Sequence, residues 1–266
     1  MTKFWTFASG STGNASLLVC GEVAVLIDIG ISCRRILQHA EDAGRSPEDL
    51  TALVVTHEHE DHVSGLRTYT KRYSTPIFCS RGTGAHLDYR LERVLPLLRP
   101  LALGKPCDLG GGVTLTLHPT SHDSSQSTAV RLDTPDGSVA VLTDTGVVPE
   151  ETGAALLGAD ILLLEANHDV ERLRAGPYSY VLKHRILGPE GHLSNAAAAR
   201  YAAESVRSGT RTVLLAHLSE ENNTPALARQ AVEAALAEAG LTARVVVVPH
   251  NTASEAFTLE KSPCGV

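Results

Sequence analysis

The segment Thr56-His57-Glu58-His59-Glu60-Asp61-His62 directly follows the apolar run Leu53-Val54-Val55 and sets three imidazoles and the Asp61 carboxylate within six residues. Imidazole nitrogen suits zinc and other first-row metals, and carboxylate oxygen widens the choice toward manganese. His57 and His59, one residue apart, point the same way on an extended or turning backbone. The adjacent Asp61-His62 pair reaches a neighbouring position, so this one segment has the donors to serve two ions.

Three further segments place a lone donor just beyond an apolar strand pattern, where a rigid scaffold meets an open site. Thr116–Asp123 carries His118 and His122, Val139–Thr143 runs into Asp144-Thr145-Gly146, and Thr212–Ala216 ends at His217. A single such His or Asp is most often a solvent-facing side chain or a turn residue. Four segments with the same placement make a joint case for metal binding.

These donors need elements to hold them. Short runs rich in Val, Ile and Leu, bounded by Gly, Pro or Asp, predict strands at Phe4–Ala8, Ala15–Cys20, Val23–Asp28, Ala52–Thr56, Ile77–Ser80 and Val113–His118. The same pattern recurs at Ser127–Leu132, Val139–Thr143, Ile161–Glu165, Val213–Ala216, Arg244–Val248 and Glu255–Leu259. Amphipathic spacing predicts helices at Cys33–Ala43, His62–Tyr73, Glu150–Leu157, Asn195–Arg207 and Pro225–Ala239. The last has Thr224 as its cap, Pro225 in its first turn and Gly240 as its stop. No repeat or linker interrupts the pattern, so residues 1–266 read as one domain. Strands precede helices without a strict βαβ period, which favours an α/β (α+β layered) arrangement of two mixed sheets with helices outside.

Composition bounds the partners. A net charge of −7 leaves no broad basic surface for non-specific nucleic-acid binding, so any phosphate must be held by metals and a local basic patch. The candidates are Lys71-Arg72, Arg90 with Arg93, Arg172 with Arg174, and Lys183-His184-Arg185. Such runs are usually solvated faces. The stretch from Arg172 to Arg185 is the one expected to meet a DNA backbone, with Tyr178 and Tyr180 available to stack on an end base. The apolar runs are too short to cross a bilayer, so no membrane partner is expected. Five scattered Cys without CxxC spacing and no signal-peptide pattern point to reduced thiols in a cytoplasm.

The whole pattern resembles a known family. His57-x-His59-x-Asp61-His62, a single later His, Thr143-Asp144-Thr145-Gly146 and a late strand-end His look like the metallo-β-lactamase fold. Phe7–Asn14 and Leu26-Ile27-Asp28-Ile29-Gly30 fit as well. Within that superfamily the YycJ (WalJ) branch is the match. Ala8–Asn14, Glu165–Asp169, Gly191–Asn195 and Ala216-His217-Leu218-Ser219-x-x-Asn222-Asn223 carry the resemblance. It implies an αββα sandwich, two divalent metal ions per chain (zinc or manganese, with iron possible), and exonuclease action from the 5′ end of DNA. No organic cofactor is called for, and a homo-oligomer is left open.

On that pattern His57, His59 and His122 take one metal, and Asp61, His62 and His217 the other, with Asp144 bridging. The physical logic agrees. Two cations about 3.5–4 Å apart need a shared anion, and a shared water between them has its pKa drawn toward neutrality. His118 competes with His122 but lies inside the strand and precedes Pro119, so His122 is preferred. No Cys falls in a motif, and a hard imidazole-and-carboxylate site favours phosphodiester over β-lactam chemistry.

Asp61 is expected to serve catalysis as well as metal binding. His192, in Gly191-His192-Leu193-Ser194-Asn195, is expected to bind phosphate or to protonate the leaving oxygen. Gly191 would let the backbone approach substrate. Ser194 and Asn195 would help hold phosphate at a helix N-terminus, or else simply cap that helix. Ser11 and Asn14 are expected to line the substrate site, and Asp28 to hold a metal-binding ring from behind. Asn167-His168-Asp169 is given a supporting or substrate-lining part.

Four other readings compete. A small-molecule or cyclic-nucleotide phosphodiesterase fits the acidic charge. RNA processing of the ribonuclease Z type and thioester hydrolysis of the glyoxalase II type fit less well. A non-catalytic, metal-stabilised interaction module conflicts with seven donors, since structural zinc sites close with four.

Overall fold

A computed structural model of the chain describes residues 1–91 and 94–260, so Arg93 and Cys264 lie outside the described residues. Thr2–Ala8 (β1), Ala15–Cys20 (β2) and Val23–Ile27 (β3) pair antiparallel. Ala52–Val54 (β4), Ile77–Ser80 (β5) and Leu98–Leu101 (β6) extend the sheet in parallel. The second sheet begins antiparallel with Cys107–Asp108 (β7), Thr114–Pro119 (β8), Thr128–Thr134 (β9) and Gly137–Leu142 (β10). It continues in parallel through Ile161–Glu165 (β11), Thr212–Ala216 (β12) and Arg244–Val247 (β13). Phe257–Leu259 (β14) crosses back to close the free edge of β1.

Helices cover the outer faces. Cys33–Asp42 (α1), Glu60–Val63 (α2), Leu66–Tyr69 (α3) and Arg81–Arg90 (α4) belong to the first half. Glu150–Leu156 (α5), Val170–Ala175 (α6), Tyr180–Leu187 (α7), Asn195–Arg207 (α8) and Pro225–Glu238 (α9) belong to the second.

The strands read as continuous apolar runs because both of their faces are covered. Leu18, Val25 and Val54 meet Leu117, Val130, Val141 and Leu163 between the sheets. Their neighbours Leu17, Leu26 and Leu53 pack outward on Ile36, Leu66, Tyr69 and Leu87. On the far side Ala140, Leu162 and Leu164 pack on Leu156, Ala198, Ala202 and Val232. Each fully buried Leu or Val adds about 1.5–3 kcal/mol by its removal from water. The result is the layered αββα sandwich that the resemblance implied.

The predicted helix over His62–Tyr73 is instead two short helices, α2 and α3. The break falls at Ser64-Gly65, where a side chain on Gly65 would stand 2.4 Å from the Ile31 carbonyl oxygen. Ser64 Oγ donates to the Gly30 carbonyl and Gly65 N to that of Ile29, so the chain bends to hug the end of β3. Helices α4, α6 and α7 and strands β6 and β7 have no counterpart among the sequence expectations.

Candidate metal centre

The C-terminal ends of β3, β4, β8, β10, β11 and β12 meet at one rim of the sandwich. Three non-glycine residues there adopt the left-handed backbone: Asp28 (φ 58°), Asp144 (φ 55°) and His217 (φ 54°). Such geometry is uncommon and costs about 1 kcal/mol or more per residue, so packing must hold it. In each case it turns a polar side chain sharply off a strand end and into the rim.

Three groups of donors result, the third (Asp144, Glu165, His192 and His217) sharing Asp144 and His217 with the second. His57 Nε2 and His59 Nδ1 are 3.1 Å apart, and His122 Nε2 is 3.3 Å from His59 Nδ1. Beside them, His62 Nε2 lies 3.5 Å from Asp61 Oδ2 and 3.2 Å from Asp144 Oδ2. His217 Nε2 lies 3.5 Å from Asp61 Oδ2 and 3.4 Å from Asp144 Oδ1. Asp144 Oδ1 also stands 3.8 Å from His122 Nε2, which sets this carboxylate between the first two groups. Within each group the donor atoms lie within 4.8 Å of one another, close enough to hold an ion.

The residues fit a metal on physical grounds. Asp144 Oδ2 is buried and accepts no well-angled hydrogen bond, which is costly unless a cation meets it. Burial, aided by the neighbouring His62, holds His57 well below its ordinary pKa, and burial likewise lowers His122, so both rings present lone pairs. At His62 and His217 burial pulls the same way but is outweighed, Asp144 leading, and both rings are held well above their ordinary value. Burial raises Asp61 and Asp144, yet the facing His62 and His217 win and keep both carboxylates ionised. The centre therefore concentrates negative charge that protons balance when no metal is bound.

Outer contacts fix the rings. Asp28 Oδ2 lies 2.8 Å from His62 Nδ1, while Asp28 Oδ1 accepts the Thr56 N–H at 2.8 Å. His122 Nδ1 stands 3.2 Å from the Glu190 and Gly191 carbonyls. Glu165 Oε1 lies 3.1 Å from His217 Nδ1 and 2.6 Å from His192 Nδ1. The contacts to His62, His122 and His217 engage Nδ1 and turn Nε2 toward the centre, whereas His192 is held by Nδ1 at the edge of the cleft.

The centre thus brings together His57, His59, Asp61, His62, His122, Asp144, His217, Asp28 and His192. His118 sits within β8, outside every donor group. Several expectations change. Asn14 is buried; its Nδ2 lies 3.0 Å from His62 Nε2 and donates to Asp61 Oδ2 at 3.3 Å, steadying the ligand loop. Ser194 Oγ caps α8 by accepting the Ala197 N–H. The buried Asn195 amide exchanges hydrogen bonds with Asn223. Gly191 is needed for its own chain, since a side chain there would stand 2.2 Å from the Ile186 carbonyl.

Two carboxylates at the centre, Glu165 and Glu58, were given no role by the sequence reading. Glu165 ends β11 just as His217 ends β12, and the rule of a lone donor after an apolar strand would have found it. Glu58 Oε1 accepts the Ser125 N–H at 2.6 Å and ties the loop of His57–His62 to the loop of His122. No spacing signal points to that contact.

A cleft of about 290 Å³ opens beside the centre. Ser11, His122, His192 and Ser219 line it, as do Tyr178, Leu182, Arg185 and Ile186 from α7 and the turn before it. Ser11 is exposed there. Tyr180 is not part of this wall; it is 75% exposed and packs on His184.

Comparison with known proteins agrees with this geometry. Residues 24–218 match the model of the β-lactamase superfamily domain. The chain is 34% identical over 259 residues to exodeoxyribonuclease WalJ of Streptococcus pneumoniae, covering 96% of both chains. It is 30% identical over 249 residues to exodeoxyribonuclease YycJ of Bacillus anthracis, covering 94% of both. The crystal structure of the metallo-β-lactamase fold protein YhfI from Bacillus subtilis superimposes with a TM-score of 0.70 at 18% identity, over 95% of this chain and 98% of that one, a likeness of fold. By its matched domain, its full-length relatives and its rim of histidines and aspartates, this chain belongs to the β-lactamase superfamily, in the WalJ/YycJ branch.

Proposed function

We propose that the protein is a metal-dependent exonuclease that removes nucleotides from the 5′ end of DNA, with two divalent ions, zinc or manganese, at the rim. The observation that carries a hydrolytic reading is the Asp144 carboxylate set between two donor groups, with the Glu165–His192 pair beside them at the cleft. Full-length similarity to two proteins named exodeoxyribonucleases supports DNA as the substrate, and the 5′ polarity is the one the sequence resemblance implies. The continuous inter-sheet core supports one domain, and buried unpaired Cys20, Cys33 and Cys79 are consistent with a reducing cytoplasm.

His57, His59 and His122 would hold one ion, and Asp61, His62 and His217 the other, with Asp144 shared. Bound there, the ions supply Lewis acidity toward a phosphodiester and make water acidic enough to attack near neutral pH. Asp28, Asn14 and Glu165 keep the donor rings and carboxylates in register. Burial would strip His192 of its proton, but the Glu165 carboxylate outweighs it and raises the ring's pKa. With Nδ1–H donated to Glu165, His192 presents Nε2–H to the cleft, placed to protonate the leaving oxygen.

The test is digestion of end-labelled duplex and single-stranded DNA with manganese or zinc, beside bis(p-nitrophenyl) phosphate. Release of short products from the 5′ end is expected. Hydrolysis of the small ester with DNA left intact would favour a small-molecule phosphodiesterase and overturn the exonuclease reading.

A further inference from the structure

Between β11 and α8 the chain makes an excursion, residues 170–187, whose composition opposes that of the molecule. It holds Arg172, Arg174, Lys183 and Arg185, four of the chain's 23 lysines and arginines, but only Glu171 of its 30 acids. Helix α7 within it buries none of its residues, and Val181 is 76% exposed. A helix with no core-facing side is kept for what it presents.

What it presents to the cleft is a stripe. Tyr178, Leu182 and Ile186 recur every fourth residue and lie along the cleft opposite His192, with Arg185 beside them. All three are half-buried. Arg185 is anchored through Nε and Nη2 to Asp123 Oδ2 at 2.6 and 2.5 Å, while its side chain stays 61% exposed. The pair fixes the guanidinium at the cleft and leaves Nη1 pointing to no protein acceptor.

The geometry points to a nucleotide subsite: Tyr178, backed by Leu182 and Ile186, stacks on the base next to the bond being cut, and Nη1 of Arg185 binds the following phosphate. This inference rests on the exonuclease reading and deepens it. An aromatic face with an aliphatic floor accepts any base, and one fixed cation beside it can pair with a backbone phosphate. A small phosphodiester would need the catalytic rim but not this wall. Arg172 donates to the Glu221 carbonyl and Arg174 pairs with Glu171, so both brace the excursion.

The test compares metal-loaded wild type, Tyr178→Ala, Tyr178→Phe and Arg185→Ala on a single-stranded oligonucleotide and on bis(p-nitrophenyl) phosphate. The ratio of kcat/KM for DNA over the small ester should fall about 10-fold in Tyr178→Ala and recover in Tyr178→Phe. An oligonucleotide whose terminal nucleotide lacks its base should show no further loss in Tyr178→Ala. Arg185→Ala should flatten the salt dependence of oligonucleotide binding by about 0.7 in the log–log slope, one phosphate's worth. In Tyr178→Trp, the new indole should be quenched by oligo(dT). An unchanged ratio, equal loss on normal and abasic DNA, an unquenched indole or an unaltered salt slope would each overturn the subsite. Wild type that cleaves the small ester but no DNA would instead remove the exonuclease reading on which it rests.

Discussion

Glu165 and His192 form a part-buried acid–base pair at the cleft, with Oε1 2.6 Å from Nδ1. Burial alone would raise the carboxyl, but His192, followed by His217, draws it down to about 2, so it is ionised at neutral pH. One carboxylate thus orients two rings, His217 facing the centre and His192 facing the cleft.

Removing that carboxylate's charge should uncouple chemistry from metal binding. We expect Glu165→Gln and His192→Ala each to lower kcat by about 100-fold or more, as loss of a general acid does. Metal content by plasma emission should stay near wild type in His192→Ala. Loss of metal from that variant would make His192 a ligand.

Asp144 stands between the donor groups, and its two oxygens lie 3.2–3.8 Å from His62, His217 and His122. Asp144→Ala should abolish turnover and lower metal content. His59→Ala should abolish turnover through the three-histidine group. Full activity and two bound ions in Asp144→Ala would refute the shared carboxylate.

Glu58 joins two ligand loops that are distant in sequence, through the Ser125 N–H. Glu58→Ala should loosen the loop of His122 and weaken metal affinity about 10- to 100-fold, the usual penalty for losing an outer support. Glu58→Gln keeps an acceptor oxygen and should retain most of that affinity. Isothermal titration of the metal-free variants measures both.

His168 is 1% exposed, neither ring nitrogen has a hydrogen-bond partner, and burial, only partly countered by Glu165, lowers its pKa from 6.5 to about 4. The unfolded chain binds this proton first as pH falls. Stability from this residue is therefore whole above about pH 6.5 and is lost between about 6.5 and 4, by up to about 3 kcal/mol. The urea midpoint of wild type should drop relative to His168→Asn between pH 7.5 and 4.5. A constant difference between the two proteins would contradict the assignment.

Much of the site was legible because its chemistry is local in sequence. Three imidazoles and a carboxylate in six residues, and single donors closing Val-, Ile- and Leu-rich strands, are patterns that ordinary surface loops rarely show. Strands β2, β5 and β11 and helix α8 have the bounds read from the sequence, since apolar period and capping act within a few residues. Helices α4 and α7 were missed for the complementary reason. Arg81–Arg90 contains two glycines and few apolar residues, and Tyr180–Leu187 turns its apolar residues to the cleft and solvent and buries none, so neither carries the broad core-facing stripe by which a helix is read.

By itself, the sequence determined which atoms could bind metal and that strand ends would carry them. Only the tertiary structure decided what each polar side chain does. Asn14 braces Asp61, Asn195 faces Asn223, Ser194 caps its helix, Glu165 orients two histidines, and Glu58 links two loops. The physical reason is that a polar group's role depends on its partners, and these partners lie up to 67 residues away along the chain. Their meeting is set by the packing of two sheets, which no local pattern encodes.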